Sequence, residues 1–72
     1  MKNNIKLLRA IHNFTQDQLA EMLEVSRQTI ISLEKEKYNP SITLAFKLAR
    51  VFKCRIEDIF IYEEEIHNEK ST

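Results

Sequence analysis

The residues from Phe14 to Lys35 constrain the fold of this chain most strongly, because they predict two short helices joined by a tight turn. Thr15 is a helix N-cap residue, and Gln18 follows it at the spacing of a capping box. Ser26 is a second N-cap, so only the residues 24–26 separate the two helices. The sequence therefore predicts two packed helices that meet at a sharp angle.

The second of these helices has two faces of different chemistry. At about 100° per residue, Thr29, Ile30 and Leu33 fall in one arc, which we expect to be buried. The opposite arc carries hydrogen-bonding groups, cations and one aliphatic side chain. Its residues are Arg27, Gln28, Ile31, Ser32 and Lys35. A polar outer face on the second helix is typical of helix-turn-helix units, in which that helix reads base edges in DNA.

Longer sequence patterns resemble the Cro/cI-repressor-type (XRE) helix-turn-helix family over roughly residues 4–60. The residues that carry the resemblance are Ile5, Leu8-Arg9, Thr15-Gln16, Leu19-Ala20, Val25 to Ile30, Leu33-Glu34, Asn39-Pro40-Ser41 and Ile56 to Phe60. The short chain and its Ile61-Tyr62 segment are also similar to small dimeric regulators of the cytolysin-repressor kind. The resemblance implies an all-α, five-helix Cro/cI repressor-like domain that binds operator DNA as a homodimer and regulates transcription, most often as a repressor.

The outer face and the resemblance together assign candidate DNA contacts. We expect base reading by Arg27, Gln28, Ile31 and Ser32. We expect DNA backbone contacts from Gln16, Lys35, Lys37, Tyr38 and Asn39. Arg27 has two candidate partners, a guanine and a phosphate. The side chain of Ile31 has one obvious partner, since the thymine methyl group is the only apolar feature on the major-groove edge.

The resemblance also implies an internal ion pair. In the resembling family, the Arg of the Leu-Arg pair in the first helix meets a Glu at the end of the recognition helix. The matching positions here are Arg9 and Glu34. A guanidinium fork on a carboxylate would tie the first helix to the third.

Helical spacing predicts the remaining elements. The opening helix covers about residues 4–13, and Ile5, Leu8 and Ile11 are expected in the core. A fourth helix extends from Ser41 to about Phe52 with a stripe of Leu44, Leu48 and Val51, and a fifth covers about residues 56–60. The Ile61-Tyr62 segment favours extended structure, paired either with residues 1–3 or with a partner chain. We expect residues 1–62 to form the DNA-binding domain and the acidic residues 63–72 to be a frayed tail.

Apolar residues outside the helical stripes predict a dimer interface. These residues are Phe46, Ile59, Phe60, Ile61 and Tyr62. Together they are more apolar surface than a small monomer should expose to water. The chain of 72 residues has one cysteine, which excludes an internal disulfide, so self-association is the expected source of additional stability.

Charge is distributed unevenly along the chain, although the formal net charge is zero. Residues 1–56 contain ten Lys and Arg against five Asp and Glu, whereas residues 57–72 contain one against six. The first part therefore carries +5 and the second −5. Since the basic part contains the helix-turn-helix pattern, nucleic acid remains a fitting partner.

The chain contains no glycine, which is a departure from the resembling family. Glu24, Glu36 and Lys53 stand at turn positions where that family usually has glycine. Each of them that adopts a positive φ is expected to cost about 1 kcal/mol.

The sequence lacks the usual signatures of an enzyme, namely a nucleophile-base pair at meaningful spacing, a glycine-rich phosphate loop and a metal-ligand cluster. We interpret Cys54 as a small half-buried apolar residue, and His12 and His67 as surface residues. No cofactor and no small-molecule ligand are expected. No apolar segment is long enough to cross a membrane and no signal peptide is evident, so a cytoplasmic location is expected.

Two alternatives to a plain regulator remain open. One is an antitoxin that binds its own promoter and also a toxin. The other is a protein-interaction module that uses the same scaffold without DNA. The polar character of Arg27, Gln28 and Ser32 argues against the second, because a protein-binding helix should carry more apolar anchors.

Overall fold

The computed structural model describes residues 1–62, which form five helices and one two-stranded antiparallel sheet. In chain order the elements are β1 (Lys2–Asn3), α1 (Ile5–Ile11), α2 (Gln16–Leu23), α3 (Arg27–Glu34), α4 (Ile42–Phe52), α5 (Ile56–Ile59) and β2 (Phe60–Ile61). The expected five-helix domain with a short terminal β-pairing is confirmed. The tail predicted for residues 63–72 lies outside the described residues.

Side-chain caps define the starts of α2, α3 and α4 as the sequence predicted. The hydroxyl of Thr15 accepts a hydrogen bond from the Gln18 N–H (3.0 Å), and the Gln18 side-chain oxygen accepts one from the Thr15 N–H (2.8 Å). The Ser26 hydroxyl accepts from the Thr29 N–H at 3.2 Å, and Ser41 caps α4 in the same way. These bonds satisfy N–H groups that a helix start leaves unpaired, and they fix the three-residue link between α2 and α3.

All five helices contribute buried apolar side chains to one core. The core residues are Ile5, Leu19, Ala20, Leu23, Ile30, Leu33, Leu44, Leu48, Phe52 and Ile59. Ile30 and Leu33 of α3 are buried as helical spacing predicted. Thr29, which was expected in the same buried arc, is only half-buried and lines a surface concavity. The inner face of α3 is thereby fixed, and its opposite face is left outside the core.

The expectation that Ile11 belongs to the core is wrong, because its side chain is 62% exposed. Three-residue steps on an α-helix fall about 60° short of a full turn, so Ile11 lies about 120° away from Ile5. Only Ile5 is fully buried in α1, and Leu8 packs against the core from a half-buried position.

The assignment of Ile59 to a dimer interface is also wrong, because its side chain is fully buried in the core of the single chain. Phe60 is half-buried and packs against the same core. The chain changes from helix to extended structure between these two residues, so an apolar run in the sequence does not form one surface. Of the five proposed interface residues, Phe46, Ile61 and Tyr62 are exposed.

The β-pairing lies within the chain, with Lys2 opposite Ile61 and Asn3 opposite Phe60. It brings the side chain of Asn3 to the end of α3, where its amide donates to the carbonyl of Leu33 at 2.8 Å. The Asn3 side-chain oxygen accepts from the N–H of Ile5 at 3.0 Å and thus fixes the start of α1. The N-terminal residues therefore support the C-terminal end of α3.

Positive φ angles occur at all three turn positions that the sequence analysis singled out, namely Glu24 (60°), Glu36 (62°) and Lys53 (56°). Asn13 also has a positive φ of 60°, which the sequence analysis did not anticipate. Residues with a β-carbon are strained in this region, and Asn tolerates it better than most. Glu24 and Lys53 end α2 and α4, so the strain lies at helix ends.

Replacing Lys53 by glycine should relieve this strain. We expect Lys53→Gly to raise the free energy of unfolding by about 1 kcal/mol, measured by urea denaturation. Lys47→Gly is the matched control, because Lys47 lies inside α4, where glycine should lower the stability by about 1 kcal/mol. Equal destabilisation by both substitutions would contradict the interpretation of Lys53 as a strained helix end.

Candidate nucleic-acid interface

The outer face of α3 presents the residues that were predicted to read bases. Arg27 and Gln28 are exposed, whereas Ile31 and Ser32 are half-buried. Ile31 is not among the residues that form or contact the core, in contrast to Ile30 in the preceding position. The helix thus keeps an aliphatic side chain on the same side as its polar groups.

A shallow concavity of about 360 Å³ connects this face to the segment that follows α3. The residues that line it are Ser26, Gln28, Thr29, Ser32, Lys37 and Tyr38. It therefore brings two of the predicted base-reading residues, Gln28 and Ser32, beside two of the predicted backbone contacts, Lys37 and Tyr38. These four side chains border one continuous surface.

Main-chain hydrogen bonds hold the segment after α3 against the helix. The N–H of Glu36 donates to the carbonyl of Leu33 at 3.0 Å, and the N–H of Lys37 donates to the carbonyl of Ser32 at 3.1 Å. The candidate phosphate contacts Lys35, Lys37, Tyr38 and Asn39 are all exposed. The end of α3 is consequently surrounded by cationic and hydrogen-bonding side chains.

The ion pair between Arg9 and Glu34 is present and nearly buried, with 18% and 7% of the two side chains exposed. The Arg9 Nε donates to Glu34 Oε2 at 2.7 Å, and the second guanidinium contact, from Nη2 to Oε1, measures 3.4 Å. The remaining Arg9 nitrogen, Nη1, donates to the carbonyl of Phe14 at 3.1 Å. Arg9 therefore joins α1, the turn before α2 and the end of α3.

Gln16 belongs to the same hydrogen-bonding cluster, which the sequence analysis did not anticipate. Its side-chain nitrogen donates to Glu34 Oε1 at 3.0 Å, so its amide is oriented by α3. Because a primary amide carries two N–H groups, this bond leaves one donor for a phosphate. The sequence showed that Gln16 is a polar residue at the first position of α2, but it did not indicate that Glu34 is its partner.

A second ion pair that sequence reasoning missed joins the two helices on the exposed side. The Nε of Arg27 lies 3.8 Å from Oδ1 of Asp17, and the two side chains are 61% and 73% exposed. Helical spacing could not reveal this contact, because the residues belong to different helices. The sequence indicated only that two opposite charges, Asp17 and Arg27, lie near the starts of α2 and α3.

Two other chemically capable residues of the described chain, His12 and Cys54, lie in packed surroundings. The ring of His12 stacks on Phe14 (centroids 5.6 Å apart) and contacts the ring of Phe52, so it is a packing residue rather than the expected surface residue. His67 lies outside the described residues. Burial raises the pKa of the Cys54 thiol, and the nearby Asp58 carboxylate raises it further, so Cys54 is a poor nucleophile.

Within residues 1–62, no group of three or more His, Cys, Asp or Glu side chains is arranged to hold a metal ion. In the same residues, no helix has both the length and the apolar character that a membrane crossing requires.

Comparison with known proteins identifies the family. A helix-turn-helix family model matches residues 5–59, which contain the whole site described above. The chain belongs to the helix-turn-helix family. Its relatives within the family are named as transcriptional regulators, a class of DNA-binding proteins that are not enzymes.

Individual relatives support the assignment over nearly the whole chain. An uncharacterized HTH-type transcriptional regulator of Methanocaldococcus jannaschii is 62% identical over 65 residues, which cover 90% of this chain and 98% of that one. A competence pilus inhibition repressor of Acinetobacter baylyi is 32% identical over 65 residues, which cover 90% of this chain and 59% of that one. The crystal structure of a transcriptional regulator from Listeria innocua matches with a TM-score of 0.76 and 25% identity, covering 99% of this chain and 70% of that one.

The Arg9–Glu34 ion pair should contribute measurably to the stability of this helix-turn-helix domain. Arg9→Met alone should lower the free energy of unfolding by about 3 kcal/mol, because it leaves a nearly buried carboxylate without its charge partner. In a double-mutant cycle with Glu34→Leu, we expect a coupling energy of about 2 kcal/mol from urea denaturation.

The exposed Lys47–Glu24 pair, with a 3.7 Å separation, provides the matched control. Its cycle should give a coupling energy below about 0.5 kcal/mol, since solvent screens it. Equal coupling energies in the two cycles would show that burial adds nothing to the Arg9–Glu34 interaction.

Proposed function

We propose that the protein is a homodimeric repressor that binds an inverted-repeat operator, with one α3 helix in the major groove of each half-site. The observation that carries the proposal is the concavity of about 360 Å³, which joins base-reading chemistry on α3 to phosphate-binding chemistry in the following segment. We expect the half-site centres of the operator to lie about 34 Å apart, or one helical turn of DNA. We propose residues 1–62 as the DNA-binding unit.

The side chains of α3 suit different base edges. Gln28 is exposed at the second position of the helix, and its amide can bond bidentately to adenine. Ile31 offers an apolar contact for a thymine methyl group, and the hydroxyl of Ser32 can donate or accept. Arg27 has the geometry for a guanine or a phosphate. These contacts would supply the sequence preference.

A second set of residues would position the protein without reading sequence. Lys35, Lys37, Tyr38 and Asn39 follow or end α3, and phosphate groups flank the major groove on both sides. Gln16 adds a donor from the start of α2, held in place by Glu34. Salt should therefore weaken binding strongly, because each phosphate contact releases counterions.

Exposed apolar side chains on α4 and at the end of the described chain support the proposed dimer. Phe46, Ile61 and Tyr62 have 60%, 39% and 74% of their area exposed. Within residues 1–62 the sheet has two strands, so one edge of β2 is unpaired in this part of the chain. We propose that these groups meet their copies across a two-fold axis.

Repression fits a small DNA-binding unit, because a bound dimer can block a promoter by occupying it. The name of the Acinetobacter baylyi relative, a competence pilus inhibition repressor, supports repression rather than activation. We also propose that the protein acts in the cytoplasm, together with the DNA it binds.

Enrichment of operator DNA from a random pool by the purified protein tests the proposed function. We expect an inverted repeat, and Gln28→Ala should lower the preference at one base position in each half-site by about 1–3 kcal/mol. Lys37→Ala is the control, since it should weaken binding to all sequences alike. Failure to enrich any sequence, or a uniform loss with Gln28→Ala, would contradict the proposed role of α3.

The dimer is tested by analytical ultracentrifugation of Ile61→Asp. We expect this variant to sediment as a folded monomer and to bind the operator more weakly, because the charge would be buried in the interface. Leu7→Asp is the matched control, since Leu7 is an equally apolar side chain, 58% exposed on α1. A wild type that is monomeric both free and on DNA would disprove the homodimer.

Ile59→Asp should instead unfold the chain, because Ile59 is in the core.

A further inference from the structure

We propose that Asp17 is a positioning residue that directs Arg27 toward a guanine base and away from the DNA backbone. The inference rests on the proposed function, since it places the outer face of α3 in the major groove. It resolves which of its two candidate partners Arg27 contacts.

The geometry that supports this role is an ion pair across the turn. Asp17 is the second residue of α2 and Arg27 is the first residue of α3. Asp17 Oδ1 lies 3.8 Å from the Nε of Arg27, on one edge of the planar guanidinium group. A carboxylate near the Nε edge leaves the two Nη groups available to another partner.

The two Nη groups of Arg27 match the hydrogen-bond acceptors of guanine. Its major-groove edge presents two acceptors, N7 and O6, and an arginine can bond both at once. The two Nη groups can supply these donors while Nε stays near Asp17. The Asp17 carboxylate thus acts on the orientation of Arg27 without contacting the base itself.

A phosphate is the poorer partner at this position. It would bring a negative charge close to the carboxylate of Asp17, and like charges placed together weaken binding. A base edge carries no net charge and avoids this repulsion. Asp17 therefore lowers the affinity of Arg27 for the backbone relative to its affinity for guanine.

The ion pair has little value for folding, which separates the proposed role from a structural one. Both side chains are more than half exposed, and exposed ion pairs contribute little to stability. Asp17 also lies in the first turn of α2, where a negative charge is favourable to the helix. A role limited to that helix end would alter binding to every DNA sequence by the same factor.

Operator variants separate the two roles. The full chain and its Asp17→Asn variant are titrated with the enriched operator and with operators in which each base pair is replaced in turn. We expect Asp17→Asn to reduce the discrimination for guanine at one position by at least about fivefold, and to increase the affinity for unrelated DNA. Arg27→Ala should lose discrimination at the same position, and adding Asp17→Asn should then change nothing further there.

Glu21→Gln is the matched control, because Glu21 is an exposed acid one turn further along α2. It should raise the affinity for all sequences slightly and leave discrimination unchanged. Asp17→Glu, which keeps the carboxylate, should retain most of the guanine preference. If Asp17→Asn changes the affinity for every DNA sequence by the same factor, as we expect for Glu21→Gln, the inference is wrong and the proposed function stands. If the wild-type protein enriches no DNA sequence, both the inference and the proposed function are wrong.

Discussion

The nearly buried carboxylate of Glu34 is the group on which the position of the outer face of α3 depends. It accepts hydrogen bonds from Arg9 on α1 and Gln16 on α2, at 2.7 and 3.0 Å, and so links three helices at the end of α3. Because Arg9 also bonds the carbonyl of Phe14, the turn before α2 is held by the same cluster. Apolar packing alone fixes which face of α3 is buried, whereas these directional bonds fix where its outer face points relative to the start of α2.

Support for the end of α3 also comes from the two ends of the described chain. Asn3 bonds the carbonyl of Leu33, and β1 is in turn held by β2 directly after the buried residue Ile59. The chain achieves this without glycine, so helix ends such as Lys53 adopt a left-handed conformation that a β-carbon disfavours. The structure therefore retains local strain that the packing of the helices holds in place.

The local signals in the sequence predicted most of the fold. The caps at Thr15, Ser26 and Ser41 gave the starts of three helices, and the wheel of α3 separated Ile31 from the buried Ile30. Two failures have different causes: Ile11 was placed by three-residue spacing, which drifts around a helix, whereas Ile59 was placed by its apolar character alone. Contacts between helices, such as Gln16 with Glu34 and Asp17 with Arg27, depend on the angle at which α2 and α3 cross. That angle is a property of the packed structure and has no signature in spacing along the chain.

The most direct test of α3 as the DNA-binding surface is an NMR titration of the isotope-labelled full chain with its enriched operator. We predict that the largest chemical-shift changes occur at Arg27, Gln28, Ile31, Ser32, Lys37 and Tyr38, with Gln16 at the margin of the affected surface. Exposed residues on α1 such as Leu7 and Ile11 should change little, because they lie outside the concavity beside α3. Changes concentrated on α1 or around Phe46, with α3 unaffected, would contradict the proposed binding mode.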